Sequence, residues 1–251
     1  MSPPGGTGTR APHTLFISDL HLAADTPAAN ETLLRFLRST ARTADALYVL
    51  GDLFDYWIGD DTLKQPFEGK IAGAFRELVD SGVPVYFMHG NRDFLIGRRF
   101  ARASGMKLLR DPTLIDLYGS ATLLMHGDTL CTGDVDYLKF RKYARNPVAQ
   151  WLFLRKSLAK RLQIAHDLRG KSEHAKSGKD MAIMDVAPKA VEDELRAHKY
   201  PRLIHGHTHR PARHEHTVDG RVCERWVLAD WYEHGSYLEC DARGCRPQPM
   251  P

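Results

Sequence analysis

Seven residues of this chain could hold metal ions, and they fall into five short groups. Asp19 and His21 stand two apart in "SDLHL". Asp52 sits in "GDLFD", Asn91 in "HGNRD", His126 in "HGD", and His207 and His209 in "LIHGHTHRP". All offer an oxygen or an imidazole nitrogen, and none is a thiolate. That donor set suits manganese, iron or zinc in an open site rather than a closed, cysteine-built zinc site. Seven ligands exceed what one four-coordinate ion takes, but they match two ions sharing one carboxylate. Two such ions can clamp a phosphate and activate a water, the chemistry of phosphoester hydrolysis. A lone histidine or a single Asp-x-His is ordinarily a cap or a hydrogen-bonded surface residue. Five such groups in the same local setting are not explained that way.

The shared setting is an apolar run that ends in polar residues. "TLFISDLHL", "ALYVLGDLFD", "PVYFMHGNRD", "ATLLMHGD" and "RLIHGHTH" each begin as a buried strand and break at Gly, Asp, His or Asn. Helical patterns lie between them. "TPAANETLLRFLRSTA" has Pro27 at its start and Leu33, Leu37 and Ala41 on one face. "KIAGAFRELVDSG" stacks Ile71, Phe75, Leu78 and Val79 before Gly82. "APKAVEDELRAHKY" presents Pro188, Val191 and Leu195. Alternating strands and helices predict an α/β fold. Ligands gather at the carboxyl ends of strands in such sheets, which places the five polar groups at one edge of one sheet. After His209 the texture becomes antiparallel, with Asp219-Gly220 as a hairpin turn. Those strands are expected to complete a second sheet.

The stretch 131–185 interrupts the alternation. It is helical and basic, carrying Lys139, Arg141, Lys142, Arg145, Arg155, Lys156, Lys160, Arg161, Arg169, Lys171, Lys176 and Lys179. It reads as an inserted cap, with 13–130 and 186–251 as the core and 1–12, rich in Pro and Gly, as a disordered tail. Within it "QWLFLRKSLAKRLQ" places Trp151, Leu154, Leu158 and Leu162 along one side of a helix, with Arg155, Lys156, Lys160 and Arg161 largely elsewhere. Such a helix can lie on an anionic membrane surface or roof an acyl-chain channel. It can equally pack its stripe on the core beneath.

Composition sets outer bounds. A chain of 251 residues, 43% hydrophobic and 26% charged, can bury a sizeable core as one elaborated domain. Its formal charge of +4 is too mild for a dedicated nucleic-acid binder, and no nucleic-acid motif occurs. Cys131, Cys223, Cys240 and Cys245 lack CxxC spacing and are expected to be reduced thiols of a cytoplasmic protein. No secretory signal and no apolar run near the roughly 20 residues of a membrane span is visible.

In combination, Asp19-x-His21, Gly51-Asp52-x-x-Asp55, Gly90-Asn91-Arg92-Asp93, His126-Gly-Asp and Gly206-His207-Thr208-His209 resemble the calcineurin-like metallophosphoesterase family. The motifs span Asp19 to His209, most of the chain. The resemblance implies a two-sheet β-sandwich flanked by helices. It implies Asp19, His21, Asp52 and His209 on one metal and Asp52, Asn91, His126 and His207 on the other, with Asp52 bridging. His205 has no place in that ligand set, and its substitution is expected to cost much less than that of His207 or His209. Asp55 and Asp93 read either as orienters of ligands or as turn and cap residues.

One departure narrows the chemistry. Many members carry His after "GN"; here the position is Arg92. Arginine is a poor general acid but a good fork for phosphate oxygens. A leaving group that needs no proton fits, as in a phosphoanhydride. "GDLFDYWIGDD", "HGNRDFLIG", "HGDTLCTGDVDY" and "AIMDV" resemble the branch of the family that works in lipid A synthesis. That resemblance implies hydrolysis of UDP-2,3-diacylglucosamine to UMP and 2,3-diacylglucosamine 1-phosphate (lipid X), with two Mn ions. It implies substrate contacts at Asn91, Arg92, Asp134, Ser172, Lys176, Lys179 and His207, with catalytic roles for Arg92, Asn91 and His126. It further implies a monomer attached peripherally to the cytoplasmic face of the inner membrane. The competing readings are a phosphoesterase for cyclic nucleotides or dinucleoside polyphosphates, and a non-catalytic scaffold of the same fold.

Overall fold

The computed structural model describes residues 11–177, 185–231 and 235–250. In chain order the elements are β1 (Thr14–Ile17), α1 (Pro27–Arg38), β2 (Ala46–Val49), α2 (Pro66–Asp80), β3 (Val85–Met88), α3 (Arg98–Ser104), β4 (Lys107–Leu109), β5 (Thr113–Leu117) and β6 (Ser120–Met125). There follow α4 (Val135–Ala144), α5 (Pro147–Leu154), α6 (Leu158–Ser177), α7 (Pro188–Ala197), β7 (Arg202–His205), β8 (Ala212–Val218), β9 (Arg221–Val227), β10 (Ser236–Asp241) and β11 (Gly244–Pro249). Almost all of the expected tail lies outside the described residues.

The strands form two sheets, in the orders β11-β10-β1-β2-β3-β4 and β5-β6-β7-β9-β8. This corrects the expectation that all five polar groups share one sheet. β1, β2 and β3 are parallel neighbours in the first sheet, while β6 and β7 are parallel neighbours in the second. The later strands are also divided. β8 and β9 enter the second sheet, but β10 pairs with β1 and extends the first. A local apolar pattern shows that a strand is buried; it carries no information on which sheet receives it.

Side-chain alternation explains why these strands read as unbroken apolar runs. Leu15 and Ile17 of β1 face a core with Leu33, Phe36, Ile71, Phe75 and Phe100 of α1, α2 and α3. Phe16, between them, points the other way and packs with Leu124 and Ile204 between the sheets. In the second sheet Leu123, Met125 and Leu203 face Val191 and Leu195 of α7. The result is helix, sheet, sheet, helix.

Local signals set the ends of several elements. Pro27, Pro66, Pro147 and Pro188 each occupy the first turn of a helix. Asp219 and Gly220 join β8 to β9 with left-handed backbone at both positions, as a tight hairpin requires. The helix expected through "QWLFLRKSLAKRLQ" is interrupted. α5 ends at Leu154, and Ser157 Oγ accepts from Lys160 N at 3.3 Å to open α6. Arg161 is also not on an outer face: it is buried and donates to Asp61 and to Ile58 O.

Cysteine pairing is corrected too. Cys240 and Cys245 form a disulfide, while Cys131 and Cys223 are free and buried. The β10–β11 register sets the pair directly opposite, with Cα atoms 4.0 Å apart. Cross-strand placement, not CxxC spacing, made that contact.

α3 begins at Gly97 without a cap from its own first residues. Asp60 supplies one from a distant loop. Its Oδ1 accepts from Gly97 N at 2.9 Å, and its Oδ2 from Arg99 N at 2.9 Å and Phe100 N at 3.2 Å. A carboxylate there also meets the positive end of the helix. Asp60→Ala is expected to lower stability by about 1–2 kcal/mol, read as a lower urea midpoint with unchanged slope.

Candidate metal centre

The carboxyl ends of β1, β2, β3, β6 and β7 converge between the two sheets, and the seven sequence-derived candidates meet there. Asp19, His21, Asp52 and His126 are buried. Two groups of side chains stand close enough to share an ion: Asp19, His21 and His209, and Asp19, Asp52 and His126. His21 Nε2 lies 3.2 Å from His209 Nε2, and His209 Nε2 lies 3.4 Å from Asp19 Oδ1. Asn91 Oδ1 lies 3.0 Å from His126 Nε2 and 3.0 Å from His207 Nδ1. Asp52 reaches toward both clusters, with Oδ2 3.9 Å from His21 Nδ1 and Oδ1 3.9 Å from His126 Nε2.

The backbone is bent to make this possible. Asp19, His21, Asp52, His207 and His209 all have positive φ, between 47° and 70°. Such left-handed backbone is unfavourable for residues with a side chain and persists where the surroundings enforce it. The enforcing bonds run between the loops. Asp19 N donates to Gly51 O at 3.0 Å and His21 N to Asp52 O at 3.0 Å. Gly206 N donates to His126 O at 2.9 Å, and His207 N to Asp19 Oδ2 at 2.8 Å. Two glycines are required by close approach. A Cβ at Gly90 would collide with Asp52 Oδ1, and one at Gly206 with Asp19 Oδ2.

Ring orientation is set from behind. His126 Nδ1 donates to Leu50 O at 2.9 Å, which turns Nε2 into the site. His209 Nδ1 lies 3.2 Å from Asp230 Oδ2. Asp93, completely buried, accepts from Leu53 N at 2.7 Å and Gly90 N at 2.8 Å, tying the loop after β2 to the loop after β3. Asp55 accepts from Arg92 Nη1 at 2.6 Å and pairs with Arg169 of α6.

The field of this cluster favours cations. Burial works against a charged imidazole at His126, but the carboxylates of Asp52, Asp128 and Asp19 outweigh it and push its pKa to about 9. Burial, with the charge at His126, depresses His207 to about 3, so the ring stays neutral and one nitrogen lone pair stays available. Burial and the neighbouring Asp52 raise Asp93 to about 7. Asp19 Oδ1 is buried and faces the His209 ring at 3.4 Å. Oxygen and imidazole donors, a buried carboxylate and an attraction for positive charge together fit divalent metal ions.

Comparison with known proteins agrees. A model of the calcineurin-like phosphoesterase family matches residues 12–211. The chain belongs to that family. Among curated relatives, a UDP-2,3-diacylglucosamine hydrolase of Aeromonas hydrophila is 53% identical over 227 residues, covering 90% of this chain and 94% of the relative. Its namesake from Aeromonas salmonicida is 55% identical, covering 90% and 89%. That of Edwardsiella ictaluri is 51% identical, covering 95% and 92%.

The other sequence-derived positions in this phosphoesterase are distributed as follows. Arg92 stands at the edge of the cluster, its Nε 3.8 Å from Asp52 Oδ2. Asp134 caps α4, accepting from Tyr137 N at 3.1 Å. Ser172 and Lys176 fall within α6, but their side chains, like Lys179 as a whole, lie outside the described residues. His205 is fully buried and hydrogen-bonded. Burial and the charge of Arg225 depress it to about 4.

Sequence reasoning missed several residues around the site. Asp128 accepts from Tyr137 Oη and from Arg141 Nε at 2.7 Å, joining the exit of β6 to α4. The Tyr137 ring stacks 6.3 Å from that of His207. Arg145 donates to Gly90 O at 2.9 Å. Asp128 had a signal, as the third letter of "HGD". Tyr137 closes the motif "HGDTLCTGDVDY" but was given no role there, and Arg145 and Asp230 had no signal, because their partners are remote in sequence.

Proposed function

We propose that this phosphoesterase hydrolyses the pyrophosphate of UDP-2,3-diacylglucosamine, giving UMP and 2,3-diacylglucosamine 1-phosphate (lipid X) in lipid A synthesis. The observation that carries this reading is the convergence of the seven candidate side chains on one largely buried cluster, in a chain about half identical along nearly its whole length to hydrolases named for that substrate. Asp19, His21, Asp52 and His209 would hold one ion. Asp52, Asn91, His126 and His207 would hold the other, with Mn as the metal. When bound, such ions supply Lewis acidity and a water acidic enough to lose its proton near neutral pH.

The chain's own residues do the rest. Arg92 would neutralise phosphate oxygens at the rim of the cluster, as a planar fork of N–H donors. Asp55 holds it there from behind. A phosphate leaving from the lipid side needs no proton, so the absence of an imidazole at position 92 costs nothing in this reaction. Asn91 and His207 would touch the α phosphate as well as metal. Asp134, Ser172, Lys176 and Lys179 would line the approach.

Residues 131–185 act in this reading as a cap, with 13–130 and 186–251 as the core. Arginines of the segment point inward: Arg141 to Asp128, Arg145 to Gly90 O, Arg161 to Asp61 and Arg169 to Asp55. Apolar side chains point outward. Tyr143, Val148, Trp151 and Leu152 are all more than half exposed. With Lys139 and Lys142 nearby, that face suits the surface of an anionic bilayer and the acyl chains of the substrate. Among the described residues no helix is long and apolar enough to cross a membrane, so attachment to the cytoplasmic face of the inner membrane would be peripheral. All seven ligands come from one chain, so a monomer suffices.

The test is a substrate panel. Purified protein with Mn²⁺ is expected to release UMP from the UDP-lipid and to leave cyclic nucleotides and dinucleoside polyphosphates largely intact. Chelation should abolish release, and added Mn²⁺ should restore it. Preference for a soluble nucleotide would overturn the substrate assignment.

A further inference from the structure

Arg225 of β9 is a buried arginine whose chemistry the reaction above does not use. It is 6% exposed. Among the described residues no carboxylate lies within ion-pairing distance of it. Its guanidinium instead spans two imidazoles. Nε donates to His216 Nε2 at 3.0 Å, and Nη1 donates to His205 Nε2 at 3.1 Å. Asp185 opposes its charge only from beyond ion-pairing distance, and a buried charge without a paired carboxylate is costly and calls for a specific return.

His205 shows what that return is. Its Nδ1 lies 2.8 Å from Gly206 O, and a carbonyl can only accept. Nδ1 therefore carries the hydrogen, Nε2 carries the lone pair, and the arginine donates into it. The ring is held in one tautomer and one orientation by a bond at each end. It touches both histidine loops of the second sheet. A Cβ at Gly127, next to His126, would stand 2.8 Å from His205 Nδ1. Gly206 O also accepts from Thr208 N at 2.9 Å, inside the turn that carries His207 and His209. Both of those residues have left-handed backbone, with φ of 70° and 55°.

We propose that Arg225 is a positioning residue of the metal centre: by clamping the His205 ring it holds the strained loop that presents His207 and His209. This rests on the metal-binding reading of the cluster. Arg225 touches neither metal nor substrate in this arrangement. It acts from the opposite side of the loop, through His205 and the Gly206 carbonyl.

The experiment is Mn²⁺ titration of metal-free protein by calorimetry, with histidine ring ¹⁵N spectra of the same samples. Arg225→Met is expected to stay folded by circular dichroism and to bind Mn²⁺ about 10-fold more weakly. The single Nδ1–H tautomer of His205 should be lost in its spectrum. Arg225→Lys, which can still donate to Nε2, should recover most of the affinity. His205→Phe keeps a ring but removes both hydrogen bonds, and it should show the same loss. Adding Arg225→Met to His205→Phe should then cost nothing further. Wild-type affinity in Arg225→Met or in His205→Phe overturns the proposal, as do independent, multiplying effects. His205→Phe carries the test alone if Arg225→Met does not fold. His209→Ala separates the two layers. If the wild type takes up no Mn²⁺, or His209→Ala binds as the wild type does, the metal reading itself fails. If His209→Ala loses an ion while Arg225→Met and His205→Phe bind normally, the metal reading stands and this inference falls.

Discussion

Asn91→Ala is expected to lower Mn²⁺-dependent release of UMP by about 10³-fold while the protein stays folded. The side-chain oxygen sits 3.0 Å from His126 Nε2 and 3.0 Å from His207 Nδ1. It joins the loop after β3 to the histidines that follow β6 and β7, and so bridges the two sheets at the site. Alanine offers no donor in its place. One ion would lose a ligand, and the phosphate would lose a contact. The fold should survive, because Asn91 is only half-buried and its loop is tied by Asp93 to the backbone of Leu53 and Gly90. His126→Ala removes the neighbouring ligand and should have an effect of the same order. UMP release, Mn²⁺ stoichiometry and a thermal melt on each variant make the check. Full activity in both would end the two-metal assignment.

The contrast with His205 gives this expectation its resolution. All three histidines of "LIHGHTH" look alike in sequence. In space His207 and His209 face the cluster, and His205 faces Arg225. A much smaller loss of UMP release at position 205 beside a loss near 10³-fold at Asn91 would separate positioning from coordination.

What was legible in the sequence was the set of side chains that converge at the strand ends, and the reason is physical. Each candidate group follows on a buried strand, where an Asp or His has no bland role repeated five times over. The helices were legible for a similar reason: Ile71, Phe75 and Leu78, or Val191 and Leu195, recur at the helical period. What was hidden depends on partners far along the chain. β1 and β6 read alike, yet Leu15 and Leu123 face different helices across different sheets. The helix through Leu154 breaks because Ser157 offers a cap that outweighs an apolar stripe. Cys240 and Cys245 meet through hairpin register. Asp230 and Arg225 serve histidines that reach them only once β7 and β9 are side by side.

Asp128 is the residue through which this long-range organisation can be tested most severely. Its carboxylate is wholly buried at the exit of β6 and receives Tyr137 Oη, Arg141 Nε at 2.7 Å and, more distantly, Arg145 at 3.9 Å. All three donors belong to α4 or its end, so one side chain anchors the start of the inserted segment to the strand that carries His126. Asp128→Ala is expected to cost about 3 kcal/mol of stability, because it strands a largely buried guanidinium and a phenol rather than merely deleting an attraction. Arg141 retains Asp111 at 3.4 Å, which limits the loss. If stranded charge is the cause, adding Arg141→Met to Asp128→Ala should restore part of the stability instead of lowering it again. Urea midpoints of the single and double variants decide the matter. Tyr137 would lose its hold beside the His207 ring, so KM for the UDP-lipid should rise in both variants even where stability is recovered. A double variant that recovers stability and KM together would show that the anchor serves folding alone. Recovery of stability without KM would show that α4 must be held against the metal centre for the substrate to bind.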